Sequence, residues 1–386
     1  MKKLIAIAVV FILAVGVAFA ADVGAEVLGM TDIIKSDSSD EAKLEAGGWP
    51  GGLKRVRVSG GGANDEGNFG GWFRFETYGP SSPNLHGYAW WKPIDQINLT
   101  LGVNPDGFYS RDGVARWGFY QVAGAVGIVN EGWAFGASFY DGWSKNGALL
   151  TITPIEDLLL FFGIPFNAGG EAKDVFSKLH AQVAYNLGSI GNVALTYTGN
   201  LNKLKGNDPS SLDPQASKLF AYFGLTAIEN LGIDLGVGYN FPVKEDYDFE
   251  GSATKKVNIS YNLPVAVGLG VNFKTGSLGI KARVQGEFGG SVTTASKADK
   301  MPTVFTADLM PFFEVTDKVT AHLSTGLGMT KPEGADSDVT WHIEPYVTVK
   351  ASWWAPNFYA GIRFAGKGDA DKTTEWSVPI GIAFAF

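Results

Sequence analysis

Strict alternation of apolar and polar residues constrains this chain more than any other feature. From Val257 to Phe273 every odd position is apolar or aromatic: Val257, Ile259, Tyr261, Leu263, Val265, Val267, Leu269, Val271 and Phe273. The even positions are Lys256, Asn258, Ser260, Asn262, Pro264, Ala266, Gly268, Gly270 and Asn272. A period of two is that of a β-strand with one greasy and one wet face; a helix would scatter the same residues around its circumference. Leu278, Ile280, Ala282, Val284 and Phe288 likewise alternate with Lys281, Arg283, Gln285 and Glu287. The rule returns in 178–187, 342–350 and 358–364.

Alternation fits both a soluble sandwich and a membrane barrel. The two ends of the chain separate them. Lys2 and Lys3 precede an apolar run from Leu4 to Phe19, and Ala18-Phe19-Ala20 meets the small-x-small rule, so residues 1–20 read as an export signal cut after Ala20. The last strand carries Trp376, Val378, Ile380, Ile382, Phe384 and Phe386 on one face, with Phe386 ending the chain. No later stretch reaches the roughly 20 apolar residues a spanning helix needs. The chain nevertheless carries 26 Phe, 13 Tyr and 11 Trp beside 51 Gly. Barrels place such aromatics on the lipid face and in interfacial girdles. With no cysteine, thiolate metal sites, disulfides and cysteine catalysis are excluded. A formal charge of −8 without a basic tract argues against nucleic-acid binding.

The spacing of turns gives the architecture. Short turn sequences recur around Ile94, Ile155, Ile190, Glu229, Thr275, Thr316 and Pro356. Between them lie longer Gly/Asp/Ser/Lys stretches at 35–52, 164–175, 201–216, 241–255, 289–301, 329–339 and 366–374, expected as extracellular loops. Strands are expected at 22–34, 53–62, 68–78, 85–92, 95–103, 147–153, 157–163, 176–187, 191–200, 217–226, 231–240, 256–273, 277–288, 302–314, 318–328, 340–351, 357–365 and 375–386. The fold class is thus all-β, a transmembrane antiparallel up-and-down barrel of eighteen strands over 21–386, with both ends periplasmic. The number falls to sixteen if the N-terminus stays out of the wall. It rises to twenty if 116–129 and 132–141 add a hairpin. Pro264, Pro345 and Pro379 each lack a ladder donor and predict bulges or strand ends.

The pattern resembles the general porins of Gram-negative outer membranes. The closing strand to Phe386 and an insertion at 104–146, after the fifth strand, carry the resemblance. Gly67-Asn68-Phe69-Gly70-Gly71-Trp72 and Trp90-Trp91-Lys92-Pro93-Ile94-Asp95 are similar to porin-like barrel proteins of spirochaetes. The Pro-Ile-Asp/Glu turns depart from the general porin pattern. The resemblance implies outer-membrane lipid around the barrel, an assembly machinery that reads Trp376, Phe384 and Phe386, a homo-trimer, and a pore for small hydrophilic solutes and ions. In porins the loop at the insertion's position folds into the pore and narrows it.

Such a pore needs neither a catalytic group nor a cofactor; selectivity comes from width and from charge at the narrow point. Alternation puts Arg55, Arg57, Arg74, Glu76, Lys281, Arg283 and Arg363 on the lumen side, while the insertion offers Asp106, Asp112, Glu131 and Asp141. A basic wall facing an acidic loop would set a transverse field; alternatively, all of these are ordinary solvated lumen residues. Trp72, Tyr88 and Trp90 fit an aromatic slide for sugars or, more simply, an interfacial girdle or packing within a hairpin. His86, His180, His322 and His342 fall on separate strands without metal-ligand spacing, as lumen polar residues. Gly60-Gly61-Gly62 lacks the Gly-Lys-Ser/Thr of a phosphate loop, and no nucleophile elbow is present, so the chain is not expected to be an enzyme. Two competing functions stay open: a surface antigen or adhesin acting through its loops, and a transporter of hydrophobic compounds.

Overall fold

A computed structural model describes residues 22–36, 42–43, 53–77, 83–103, 146–166, 176–205, 212–248, 256–294, 298–350, 356–368 and 374–385. The signal segment with Ala18 and Ala20, most of the insertion, and Phe386 lie outside these residues. The wall strands are β1 (Asp22–Ser36), β2 (Leu53–Ala63), β3 (Phe69–Thr77), β4 (Pro83–Ile94), β5 (Ile97–Val103) and β6 (Asn146–Ile152). They continue with β7 (Leu158–Pro165), β8 (His180–Asn186), β9 (Gly191–Thr198), β10 (Lys218–Ile228), β11 (Leu231–Asn240) and β12 (Val265–Thr275). The set ends with β13 (Leu278–Phe288), β14 (Thr303–Glu314), β15 (Val319–Lys331), β16 (Asp338–Lys350), β17 (Pro356–Gly361 and Arg363–Lys367) and β18 (Thr374–Ala385).

Each wall strand pairs antiparallel with its chain neighbours, and β1 pairs with both β2 and β18, from Glu26 opposite Ala385 to Ser36 opposite Trp376. Among the described residues the ladder of eighteen strands therefore returns to its start. Each backbone donor needs such a partner in a medium without water. β5 pairs directly with β6, from Ile97 opposite Ile152 to Val103 opposite Asn146. Asn146, the last residue of the expected insertion, begins β6, and the segments 116–129 and 132–141 lie outside the described residues.

Local chemistry explains the tight turns. Asn230 and Gly276 take positive φ, 64° and 54°, in the two-residue turns that join β10 to β11 and β12 to β13. Between β2 and β3, Asn64 Oδ1 accepts from the backbone N–H groups of Asn68 and Phe69 at 3.1 and 3.0 Å, and Gly67 has φ 67°. The prolines act as steric and donor arguments require. Pro379 coincides with a register shift between β1 and β18. Pro345 pairs normally with Leu323 of β15, and the interruption falls instead in its other neighbour, where Ile362 divides β17. Ile362 donates to the Pro345 carbonyl at 3.1 Å, and proline has no N–H to return the bond.

Three expectations need correction. The run 256–273 is not one strand: it breaks at Leu263–Pro264, and only the part from Val265 belongs to the wall. Lys256–Asn262 instead joins Val243–Asp248, Ser291–Thr293 and Ala298–Lys300 in a separate four-stranded sheet. The expected extracellular loops 201–216, 241–255 and 289–301 contain ordered strands, including a hairpin of Lys203–Lys205 with Asp213–Gln215. Leu204, Ala216, Val243 and Ile259 are buried in a small core there. Finally, 176–187 starts with a helical turn at Phe176–Ser177, and its strand begins at His180.

The two faces of the wall carry the most information. Leu195, Leu235, Val267, Leu309, Leu327 and Ile343 are each between 38% and 48% exposed. On the other face Arg74, Glu76, His180, Gln182, Arg283, Gln285, Ser324 and Glu344 are at most 3% exposed. This inverts the soluble arrangement, in which charged residues are almost never the buried ones. Soluble monomers rarely expose apolar patches beyond a few hundred Å²; here the greasy face follows the ring of strands. Hydrocarbon is the solvent that stabilises such a surface.

Candidate pore lining and constriction

Period two fixes which residues face inward, and register fixes which of them meet. Arg57 is in register with Glu76, Arg74 with His86, and Arg283 with Asp308. On β3 the Arg74 Nε lies 3.3 Å from Glu76 Oε2, and both side chains are buried. His86 Nε2 of β4 lies 3.3 Å from the other oxygen of Glu76. On β13, Arg283 donates from Nε to Asp308 Oδ2 at 3.0 Å and again from Nη2 to the same oxygen. Gly326 of β15 stands beside this pair, and a Cβ there would fall 2.1 Å from His342 Cε1 and 2.7 Å from Asp308 Oδ1. The glycine is thus what lets a histidine and a carboxylate share the inner surface.

Of the candidates, Arg74, Glu76, Arg283, Lys281 and Arg363 lie on the inner face. Arg363 is in register with Ser377 of β18. Lys281 stands opposite Asn272 and Met310, and among the described residues it makes no ion pair. Arg55 and Arg57 occupy β2 positions opposite Leu28 and Glu26 of β1. Asp106, Asp112, Glu131 and Asp141 lie outside the described residues. Sequence reasoning missed Asp308, and it placed Glu344 on the polar face of 342–350 without counting it among the candidates. Their even positions in alternating strands were the available signal. All four histidines share the inner face, and among the described residues no group of acids and histidines is arranged to hold a metal.

The inner face also carries rings. Trp72, Tyr88 and Trp90 share the parity of Arg74 and His86, so they face the interior and not the lipid. Phe69 and Trp91 are the outward, exposed aromatics of the same strands. The girdle reading of Trp72, Tyr88 and Trp90 is thereby corrected. Farther round the ring, His322 stacks on Tyr346 with centroids 4.4 Å apart and planes 7° apart. Its Nε2 lies 3.0 Å from the Thr348 hydroxyl.

An antiparallel ring of eighteen strands, apolar outside and ionisable inside, is the fold of a porin-type transmembrane β-barrel. Solved structures of this fold similar to the chain include OpdL of Pseudomonas aeruginosa, with TM-score 0.54 and 11% identity over 95% of this chain and 98% of that one. OccK2 (OpdF) of the same organism gives TM-score 0.53 and 11% identity over 95% and 97%. Its complex with glucuronate gives TM-score 0.52. At such identity the likeness lies in the fold alone. No family model matches the chain. No curated protein matches it either.

Proposed function

We propose that the chain is an outer-membrane channel through which small hydrophilic solutes and ions diffuse passively. The inverted wall carries this reading: apolar side chains exposed outward, charged and polar ones turned inward, around a ring of eighteen strands. Rings of sixteen to eighteen strands are wide enough to hold an aqueous channel. No step of such transport calls for covalent chemistry. In this reading the wall sits in outer-membrane lipid, and the insertion at 104–146 narrows the lumen. The strands on either side of the insertion, β5 and β6, pair directly with each other in the wall.

Recording single channels of the purified protein in planar bilayers tests the reading. Large, stable conductance steps are expected; a protein that inserts without conducting would overturn it. Replacing Arg55, Arg57 and Arg74 with neutral residues is expected to shift the cation-to-anion permeability ratio. An unchanged ratio would remove these arginines from the constriction.

The ordered loop-end sheet, with its own core around Val243 and Ile259, favours a second reading. There the loops act as a binding surface, as in a surface antigen or adhesin. A silent barrel whose loop-deletion variant loses attachment to a surface would favour that reading over the channel.

A further inference from the structure

We propose that Trp72, Tyr88 and Trp90 form a carbohydrate-binding track on the inner wall, ending at the Arg74–Glu76–His86 cluster. This rests on the channel reading, whose solute class it specifies. Three observations carry it. First, the rings face a polar interior, where membrane anchoring gives them no purpose. Trp72 and Tyr88 lie with centroids 5.6 Å apart and planes tilted by 32°. Second, the inner surface is cut back so that the rings lie against it. A Cβ on Gly70 would fall 2.5 Å from Trp90 Cζ2, and one on Gly61 would fall 3.0 Å from Trp72 Cδ1. All three rings stay partly exposed. Third, polar groups border the strip. The Arg74 guanidinium carbon lies 5.6 Å from the Trp72 ring centroid and Lys92 Nζ lies 5.1 Å from that of Trp90. Among the described residues, the indole N–H groups of Trp72 and Trp90 make no hydrogen bond.

A pyranose matches this chemistry. Its C–H face is apolar and lies flat on an indole or phenol ring, while its hydroxyls seek donors and acceptors at the edge. Register orders the groups along the wall. Trp90 is opposite Gly70, Tyr88 opposite Trp72, His86 opposite Arg74 and Asn84 opposite Glu76. The rings thus begin near the short turns that end β4 and β2, and the charged cluster follows toward the opposite end. A sugar moving along the strip would exchange one ring for the next without leaving the wall. An aromatic solute would use the rings but not the bordering hydrogen-bonding groups.

The test is current block of the full-length protein in planar bilayers by cellotriose, with benzoate as the aromatic comparison. Cellotriose is expected to interrupt the current in a concentration-dependent way. An aromatic contact is worth about 0.5–1.5 kcal/mol, so Trp72→Ala or Trp90→Ala should each raise the half-blocking concentration roughly twofold to tenfold. Trp72→Phe and Trp90→Phe keep a ring and should retain most of the block. Their sugar-free conductance reports whether the barrel has assembled. A conducting channel that cellotriose does not block would overturn the track. So would block by benzoate alone, or block by cellotriose that survives the double alanine variant. If the protein conducts nothing, the channel reading fails. Calorimetric titration of cellotriose onto the detergent-solubilised protein then decides the track: heat lost in the double alanine variant sustains it, and no heat in the parent protein overturns it.

Discussion

Two stretches of the inner wall carry buried ion pairs, and they are built differently. On β3 and β4 the pair lies along one strand, Arg74 to Glu76, with His86 as a second partner from the next strand. On β13 and β14 the pair crosses strands, Arg283 to Asp308, with two donors on one oxygen. The rings beside them differ as well. His322 and Tyr346 are committed to each other, to Thr348 and to Met310, whose sulfur accepts from the Tyr346 hydroxyl at 3.0 Å. The indoles of Trp72 and Trp90 have no such hydrogen bonds among the described residues. Both walls cover their ion pairs, but Tyr346 is buried whereas Trp72, Tyr88 and Trp90 stay partly exposed. In the ring of strands the two regions lie on nearly opposite sides.

The largest test of this contrast is Arg283→Ala. It leaves Asp308 charged against a covered wall, and losing one partner of a buried pair costs about 3–5 kcal/mol. Urea unfolding followed by tryptophan fluorescence should show that loss. The double variant Arg283→Met, Asp308→Leu should recover most of it, because no charge is then left without a partner. If the single variant were as stable as the parent, the cross-strand pair would not be what orders this wall.

Arg74→Ala should cost less, about 1.5–3 kcal/mol, the range for a hydrogen bond to a charged group. Glu76 keeps His86 within 3.3 Å, and its bond to Arg74 Nη2 is long at 3.4 Å. The same unfolding measurement decides it. A loss equal to that of Arg283→Ala would erase the distinction between the two walls. Gly326→Val should fall in a similar range, about 1–3 kcal/mol, since overpacking forces His342 off its position. Here the prediction is specific: Gly326→Val combined with His342→Ala should regain stability.

How far these features could be read from sequence follows from the same physics. Alternation fixes a strand's face without reference to any partner. The strands bearing Arg74, Glu76, Lys281, Arg283 and Arg363, and the inward sense of those side chains, were therefore legible. Pairing is another matter, because it depends on the register between strands. Asp308 sits in an alternating strand, yet nothing local says that it stands opposite Arg283; that depends on how β13 and β14 are aligned. The run 256–273 failed for the same reason. Its alternation continues across Pro264 while its neighbours change from one sheet to another, and the missing proline donor was the only local mark of the change. The facing of Trp72 was open to the same parity argument as Arg74, since they lie two positions apart on one strand.

The smallest expected effect bears on the committed rings. Tyr346→Phe removes one hydroxyl whose acceptor is a thioether, a weak partner. The loss should stay near 0.5–1 kcal/mol, at the low end for a net hydrogen bond. Stacking against His322 needs only the ring, so the phenylalanine variant should keep it, whereas Tyr346→Ala would also open a cavity and cost about 3–5 kcal/mol. The channel itself should respond in the opposite order across the two walls. Tyr346→Phe should leave cellotriose block where it was, because that ring's contacts are internal, while Trp72→Ala weakens it. Block that responded equally to both substitutions would mean that the solute touches both sides, and the division between an ordering wall and a binding wall would have to be given up.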